Sequence, residues 1–184
     1  MTARTVPLIR RAARFARDRR AVTSLEFAIL LPLLVGLYLG SAEVAQGIAI
    51  KRKVTLTAHA VADLSSQYTA INNGQMSNIL NAASAIIAPY TSSNLQATVS
   101  EISINAQGQA TVVWSDSLNG TALPIGQSVT VPSALAVPNT FLILGQAQYS
   151  YSPTYGYVLT NALTLSDQIF LMPRQSTSVA RNES

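Results

Sequence analysis

"RRAVTSLEFAILLPLLVGLYLG", residues 19–40, sets a single carboxylate, Glu26, at the head of an otherwise apolar run. An ionised side chain in a bilayer core costs roughly 2.5 to 3.5 kcal/mol even on the lenient insertion scale, so it is retained where it has a task or a partner. Residues 27–42 carry no charge, and apolar residues continue through Val44, Ala45, Ile48 and Ile50. A run of this length reaches about 24 Å as a helix, and its apolar flanks extend it to the roughly 30 Å of a hydrocarbon core. The stretch therefore predicts one membrane-spanning helix.

The charges around it predict its orientation. Arg4, Arg10, Arg11, Arg14, Arg17, Arg19 and Arg20 precede the span against one acid, Asp18, whereas only Lys51, Arg52 and Lys53 follow it directly. This bias places the N-terminus in the cytoplasm and the bulk of the chain outside, in the periplasm of a bacterium. The net charge of +4 is a property of the basic leader, because the chain beyond it is slightly acidic. No basic face recurs downstream, so the charge is not the footprint of a nucleic-acid-binding surface. With 184 residues, of which 48% are hydrophobic and 11% charged, the chain has room for one anchor and one small domain. Cysteine is absent, which excludes disulfides, thiolate metal sites and a cysteine nucleophile.

Three routes across the membrane fit this pattern. A secretory signal would use Gly40 and Ala42 as small residues before a cut, but Glu26 at the head of its apolar region argues against it. An uncleaved anchor explains span and orientation and gives the carboxylate nothing to do. A class III signal peptide, severed on the cytoplasmic side of the apolar segment, explains more: a cut between Ala21 and Val22 makes Glu26 the fifth residue of the mature chain.

"AVTSLEFAILLPLL", with Glu26, Phe27, Pro32 and the leucines around it, resembles the N-terminal segment of the TadE-like pseudopilins of tight-adherence (Tad) pilus systems. The likeness covers residues 17–64, and "RKVTLTAHAVADLSSQ" also looks like the helix after the anchor in TadE- and TadG-like proteins. It implies a structural subunit of a pilus at the bacterial inner membrane, with a prepilin peptidase, other Tad subunits, inner-membrane assembly proteins and membrane lipid as partners. It implies neither a cofactor nor a small-molecule substrate, and Pro32 becomes an ordinary family feature. The family pattern usually has Gly before the cut, where this chain has Ala21, so an unprocessed TadG-like anchor with a periplasmic partner-binding domain stands as the alternative.

Within the span, Gly36 and Gly40 form a GxxxG pair that Glu43 and Gly47 continue on one helical face, a pattern that lets helix backbones approach closely. Glycine is also simply common in membrane helices. Glu43 is expected at the outer interface, hydrated. The helical pattern runs on to about Tyr68 through Leu56, Ala60 and Leu64, and Asn72, Asn73 and Gly74 break it. A second helix carries the stripe Met76, Ile79, Leu80, Ala83, Ile86 and Ile87 and ends before Pro89.

From Leu95 the period changes to two. "LQATVSEISI", the turn "NAQG" and "QATVVWS" read as a hairpin, followed by strands over 127–131, 140–151 and 163–172. The expectation is an α+β fold: a basic cytoplasmic leader (1–21), a transmembrane helix and its outer end (22–53), an exported domain with a second helix packed on an antiparallel sheet (54–173), and a flexible tail (174–184). A long N-terminal helix laid on such a sheet is the general pilin plan.

Chemistry is sparse in the exported part. His59 and Asp63, one helical turn apart, are the one acid/base candidate, and a solvated helix face explains them better. One His without Cys makes zinc improbable, so no catalytic or metal site is assigned; a membrane-tethered periplasmic enzyme would need a constellation that the sequence lacks. Tyr149, Tyr151, Tyr155 and Tyr157 form the most contact-like cluster, with Tyr149 and Tyr151 on one strand face either as cross-strand packing, the favoured reading, or as a surface for a partner subunit. Trp114 reads as core.

Overall fold

A computed structural model describes residues 19–153 and 162–182. Helix α1, Arg19–Ser66, is unbroken over 48 residues, Pro32 included, a rod of about 72 Å. Its two halves differ in kind. From Thr23 to Val35 every side chain is exposed, whereas beyond it Ile50, Val54, Ala58, Val61 and Ala62 form a fully buried stripe at helical spacing. Only 11% of its most apolar eighteen-residue window is buried, the reverse of a core helix, and its length and composition are compatible with a single-pass membrane anchor. The helix closes at Ser66, two residues before the expected Tyr68, where the Ser66 hydroxyl donates to the Asp63 carbonyl.

After the two-residue strand β1 (Ala70–Ile71), helix α2 spans Asn73–Ile87. The residues that break the first helix start the second. Asn72 accepts from the Gln75 N–H, and the Gln75 side chain accepts from the Asn72 N–H, each at 2.9 Å, a reciprocal capping box that satisfies two otherwise orphaned donors. Met76, Ile79, Ala83 and Ile87 are its buried face.

Four strands follow: β2 (Leu95–Ile104), β3 (Ala110–Leu118), β4 (Thr140–Tyr151) and β5 (Leu163–Leu171). They form an antiparallel sheet in the order β3-β2-β4-β5. The β2–β3 turn is held by Asn105, whose side-chain oxygen accepts the N–H groups of Gln107 and Gln109, and by Gly108 at φ 78°. One sheet face supplies Leu95, Ala97, Val99, Ile143, Ala147, Tyr149 and Tyr151 to the core shared with both helices. The other carries a second cluster, with Ile102, Ile104, Leu142 and Leu144 covered by Leu123, Val129, Val131 and Leu135 from the β3–β4 connection. The strand expected at 127–131 reduces to a single bridge, Thr111 with Ser128. Gly126 at φ 81° before it and Pro132 after it confine the pairing.

The expected flexible tail is corrected over residues 174–182. The Arg174 N–H donates to the Ser66 carbonyl, and strand β6 (Ala180–Arg181) pairs in parallel with β1. Val179 is fully buried; its N–H donates to the Glu101 carboxylate and its carbonyl accepts the Trp114 indole N–H at 2.7 Å. Arg181 forks onto Asp116 with Nε to Oδ2 at 2.8 Å and reaches Asn73 Oδ1 at 2.7 Å. The segment is polar except for Val179 and Ala180, and the partners that dock it lie far away in sequence, so nothing local announces the docking.

Glu101 is 2% exposed beneath this strap. Burial pushes its carboxyl up, and the N–H groups of Val179 and Trp114 only partly offset that. A folded pKa above the unfolded value of about 4.3 means a contribution to stability that is complete below that pH and lost as the pH rises through the folded value. Glu101→Gln keeps an acceptor oxygen for Val179 and cannot ionise. Urea midpoints of the two proteins should therefore agree near pH 4, with the variant gaining on the parent as the pH rises toward 8. A variant that loses ground with rising pH would contradict this reading of Glu101.

Candidate functional site

His59 and Asp63 do not form an acid/base pair. His59 is exposed, and Asp63 is ion-paired with Arg174 and accepts from the Gln67 amide at 2.9 Å. Among the described residues no three His, Cys, Asp or Glu side chains gather as a metal site. A groove of about 460 Å³ on the outer sheet face, lined by Gln96, Thr98, Gln146 and Gln148, offers neutral hydrogen-bonding groups. Its one carboxylate, Asp167, is already held by Thr55 and Lys51. The groove can hydrogen-bond a solute but has no nucleophile with a base beside it.

The unusual surface is the N-terminal half of α1. Leu25, Phe27, Ile29, Leu33, Leu37 and Tyr38 are each about 60–70% exposed, and they point in all directions around the helix. A contiguous apolar surface of this kind marks contact with a membrane or with another protein. Glu26 stands exposed at its head. The Ala21–Val22 bond lies in the first turn of α1; the side chains of those two residues, and the leader before residue 19, fall outside the described residues.

The glycine face divides in a way its spacing does not reveal. A Cβ on Gly36 would meet nothing within 4 Å, so this residue opens a shallow notch between Pro32, Leu33 and Leu37. Gly40 lines the same notch, although little of it is exposed, whereas Gly47 is buried and faces the Tyr151 ring, where a Cβ would stand 3.9 Å from Tyr151 Cε1. Gly47 is therefore occupied by the chain's own sheet and is not open to a second anchor. Glu43 is corrected likewise: it is 2% exposed rather than hydrated.

Where α1 meets the sheet, a polar seam holds the anchor to the domain. The Tyr151 hydroxyl donates to Gln46 Oε1 at 3.4 Å. Burial raises the Tyr151 phenol, and the negative charge of Glu43 adds to the effect. Lys51 Nζ donates to the Ser166 carbonyl at 2.6 Å and pairs with Asp167 at 3.2 Å. The hydrogen bond from the Thr55 hydroxyl, more than the Lys51 charge, holds the Asp167 carboxyl below the usual carboxylate range. Lys53 Nζ donates to the Ile86 carbonyl at 2.8 Å, where a cation favours the C-terminal end of α2.

The tyrosine cluster resolves in favour of packing where it is described. Tyr149 and Tyr151 are 5% and 3% exposed, and Tyr149 meets Tyr90 edge to face at 6.5 Å between ring centres. Neither offers its ring to a partner subunit. Tyr155 and Tyr157 lie outside the described residues. Trp114 is a core residue, as expected, and its indole N–H is spent on the strap.

Sequence reasoning missed Glu101 and Gly145. Glu101 stands at an inward position of an alternating strand, two residues from Val99, and that phase was the available signal. Gly145 interrupts the run "FLILGQAQY", as a close backbone approach does.

Comparison with known proteins finds no matching family model, no similar curated protein and no similar solved structure.

Proposed function

We propose that this chain is a membrane-anchored structural subunit: a minor pseudopilin of TadE-like type that supports assembly of a Tad-type pilus at the inner membrane of a bacterium, with its folded domain in the periplasm. The observation that carries the reading is α1 itself. Its first half is apolar and uncovered on all sides, with one carboxylate at its head, and its second half is the spine of the domain. A soluble protein would bury such a surface, and an enzyme would need a reactive constellation that the described residues lack. Prepilin peptidase would cut between Ala21 and Val22, other pilus subunits would pack along the uncovered half of α1, and lipid would surround it before assembly.

The mature N-terminus tests this. Protein isolated from cells with the matching peptidase should begin at Val22, and Ala21→Gly should be cut at least as well. A full-length chain in those cells would replace the pseudopilin with an unprocessed TadG-like anchor. A chain beginning at Glu43 would mean an ordinary secretory signal and no anchor at all.

A further inference from the structure

The sheet outruns the helix on which it packs. Along β4, Tyr151 abuts Gly47 and Gly145 abuts Ala58 and Ala62. Phe141, four strand residues farther from the anchor, therefore lies beyond the level at which α1 closes at Ser66. There a cavity of about 400 Å³ opens between the sheet and the C-terminal strap, lined by Glu101, Val113, Trp114, Ile125 and Phe141 and by strap residues 178, 180 and 181. This is the size of a ligand pocket. The β4–β5 connection leaves from Tyr151 at the opposite end of the strands, and beyond the strap Asn182 turns to β1, where its N–H donates to the Ile71 carbonyl.

The floor of the cavity is charged. Glu101 is 2% exposed, and its Oε1 takes the Val179 N–H at 2.5 Å. Arg181, the cation in the lining, is committed to Asp116 at 2.8 Å and to Asn73 at 2.7 Å. Among the described residues no cation pairs with Glu101. Holding the strap needs only a neutral acceptor, whereas a buried carboxylate without a counter-charge carries a desolvation cost that a cation would relieve.

Two backbone irregularities build the apolar rim. The β2–β3 register shifts so that Glu101 stands opposite Trp114 and Ile102 opposite Val112, which makes Val113 the extra residue of a β-bulge. Bulges re-aim side chains, and here Val113 and Trp114 both line the cavity although they are neighbours on one strand. Residues 124–127 close as a type II turn: the Gln127 N–H donates to the Pro124 carbonyl at 3.1 Å, with Gly126 at φ 81°. The Gly126 N–H to the Val112 carbonyl and the Val112 N–H to the Gln127 carbonyl, at 2.8 and 3.0 Å, clamp this turn to β3. Ile125 at its tip is 78% exposed, more than any other large hydrophobic side chain among the described residues, the anchor included. An isoleucine held rigidly in water at the mouth of a cavity suits contact with another protein.

We propose that this cavity is a docking pocket for an arginine or lysine side chain of a partner protein, with Glu101 at its floor as the counter-charge and Ile125 and Val113 meeting an apolar neighbour of that residue. A long basic side chain matches both parts of the pocket, an apolar stem against the walls and a charged head at the floor. The Trp114 and Phe141 rings add cation–π attraction, and Glu101 repels an anion. The pocket belongs to the domain and not to the anchor, so the inference holds whether or not the leader is cleaved.

Trp114 is the chain's single tryptophan, so its fluorescence reports occupancy. The full chain in detergent is titrated with acetyl-Val-Arg-Val-amide and with the same peptide carrying citrulline, which keeps the shape of arginine and lacks its charge. The expected result is a saturable change in emission with the arginine peptide and binding of the citrulline peptide weaker by roughly tenfold or more. Glu101→Gln should reduce the arginine peptide to the citrulline level. Ile125→Ser, at an exposed turn position that does not support the core, should weaken both peptides several-fold, and it keeps the test standing should the Glu101 variant misfold. Equal affinity for the two peptides would overturn the proposal, as would an arginine peptide that binds folded Glu101→Gln as tightly as the parent or is indifferent to Ile125→Ser. So would the absence of any saturable change up to about 10 mM peptide.

Discussion

Gly145→Ala should destabilise the domain by about 3 kcal/mol, at the upper end of what overpacking a core usually costs. A Cβ at this position would overlap the Ala58 carbonyl oxygen and stand 2.8 Å from Ala62 Cβ and 3.2 Å from the Ala62 nitrogen. These are backbone atoms and a methyl group on a rigid helix, and none can swing aside as the end of a long side chain does. The strand cannot retreat either, because Gly145 is paired with Val99 on one side and Ile169 on the other. The entropic gain of replacing glycine, about 0.4–1 kcal/mol where the backbone tolerates it, is too small to compensate. Against a typical total of about 5–15 kcal/mol, a loss of this size is easily read as a lower urea midpoint for the detergent-solubilised chain. Gly36→Ala is the control, since its Cβ would meet nothing, and it should leave the midpoint in place. A Gly145→Ala unfolding free energy within about 0.5 kcal/mol of the parent, the range of ordinary surface changes, would show that the helix–sheet contact is looser than described.

The elements that repeat a local period were legible in the sequence, and those that depend on distant partners were not. The second helix, the hairpin and the strand at 140–151 follow from apolar residues at helical or alternating spacing, and the structure places them within a few residues of the expectation. The C-terminal strap escaped notice because its two adjacent apolar residues, Val179 and Ala180, have no periodicity to join. Its docking depends on Glu101, Trp114 and Asp116, which come together only once the hairpin has formed. The glycine face misled for a related reason. Spacing alone puts Gly36, Gly40 and Gly47 near one another on the helix, but which of them is covered depends on how far down α1 the sheet extends. Tyr151 settles that by filling the space beside Gly47. The buried Glu43 belongs to the same correction, one turn below.

Glu26 carries the claim that this anchor docks into an assembly rather than merely holding a domain at the membrane. Cleavage before Val22 would free an α-amino group with a pKa of about 7.7–8.0, mostly protonated at neutral pH. A neighbouring subunit's Glu26 could pair with that amine, fixing the axial register between anchors and offsetting part of the cost of keeping a carboxylate at the membrane. The competing account leaves Glu26 at the cytoplasmic headgroups, one turn from the helix start that cleavage before Val22 would create, where the dipole favours a negative charge. Glu26→Gln separates the two, because it preserves shape and hydrogen bonding and removes the charge. The deciding measurement is the number of pili on cells whose only copy of this chain carries Glu26→Gln, scored beside immunoblots that confirm insertion and cleavage. The docking account predicts a chain that inserts, is cleaved and leaves the cells without pili. Normal piliation from that variant would contradict it.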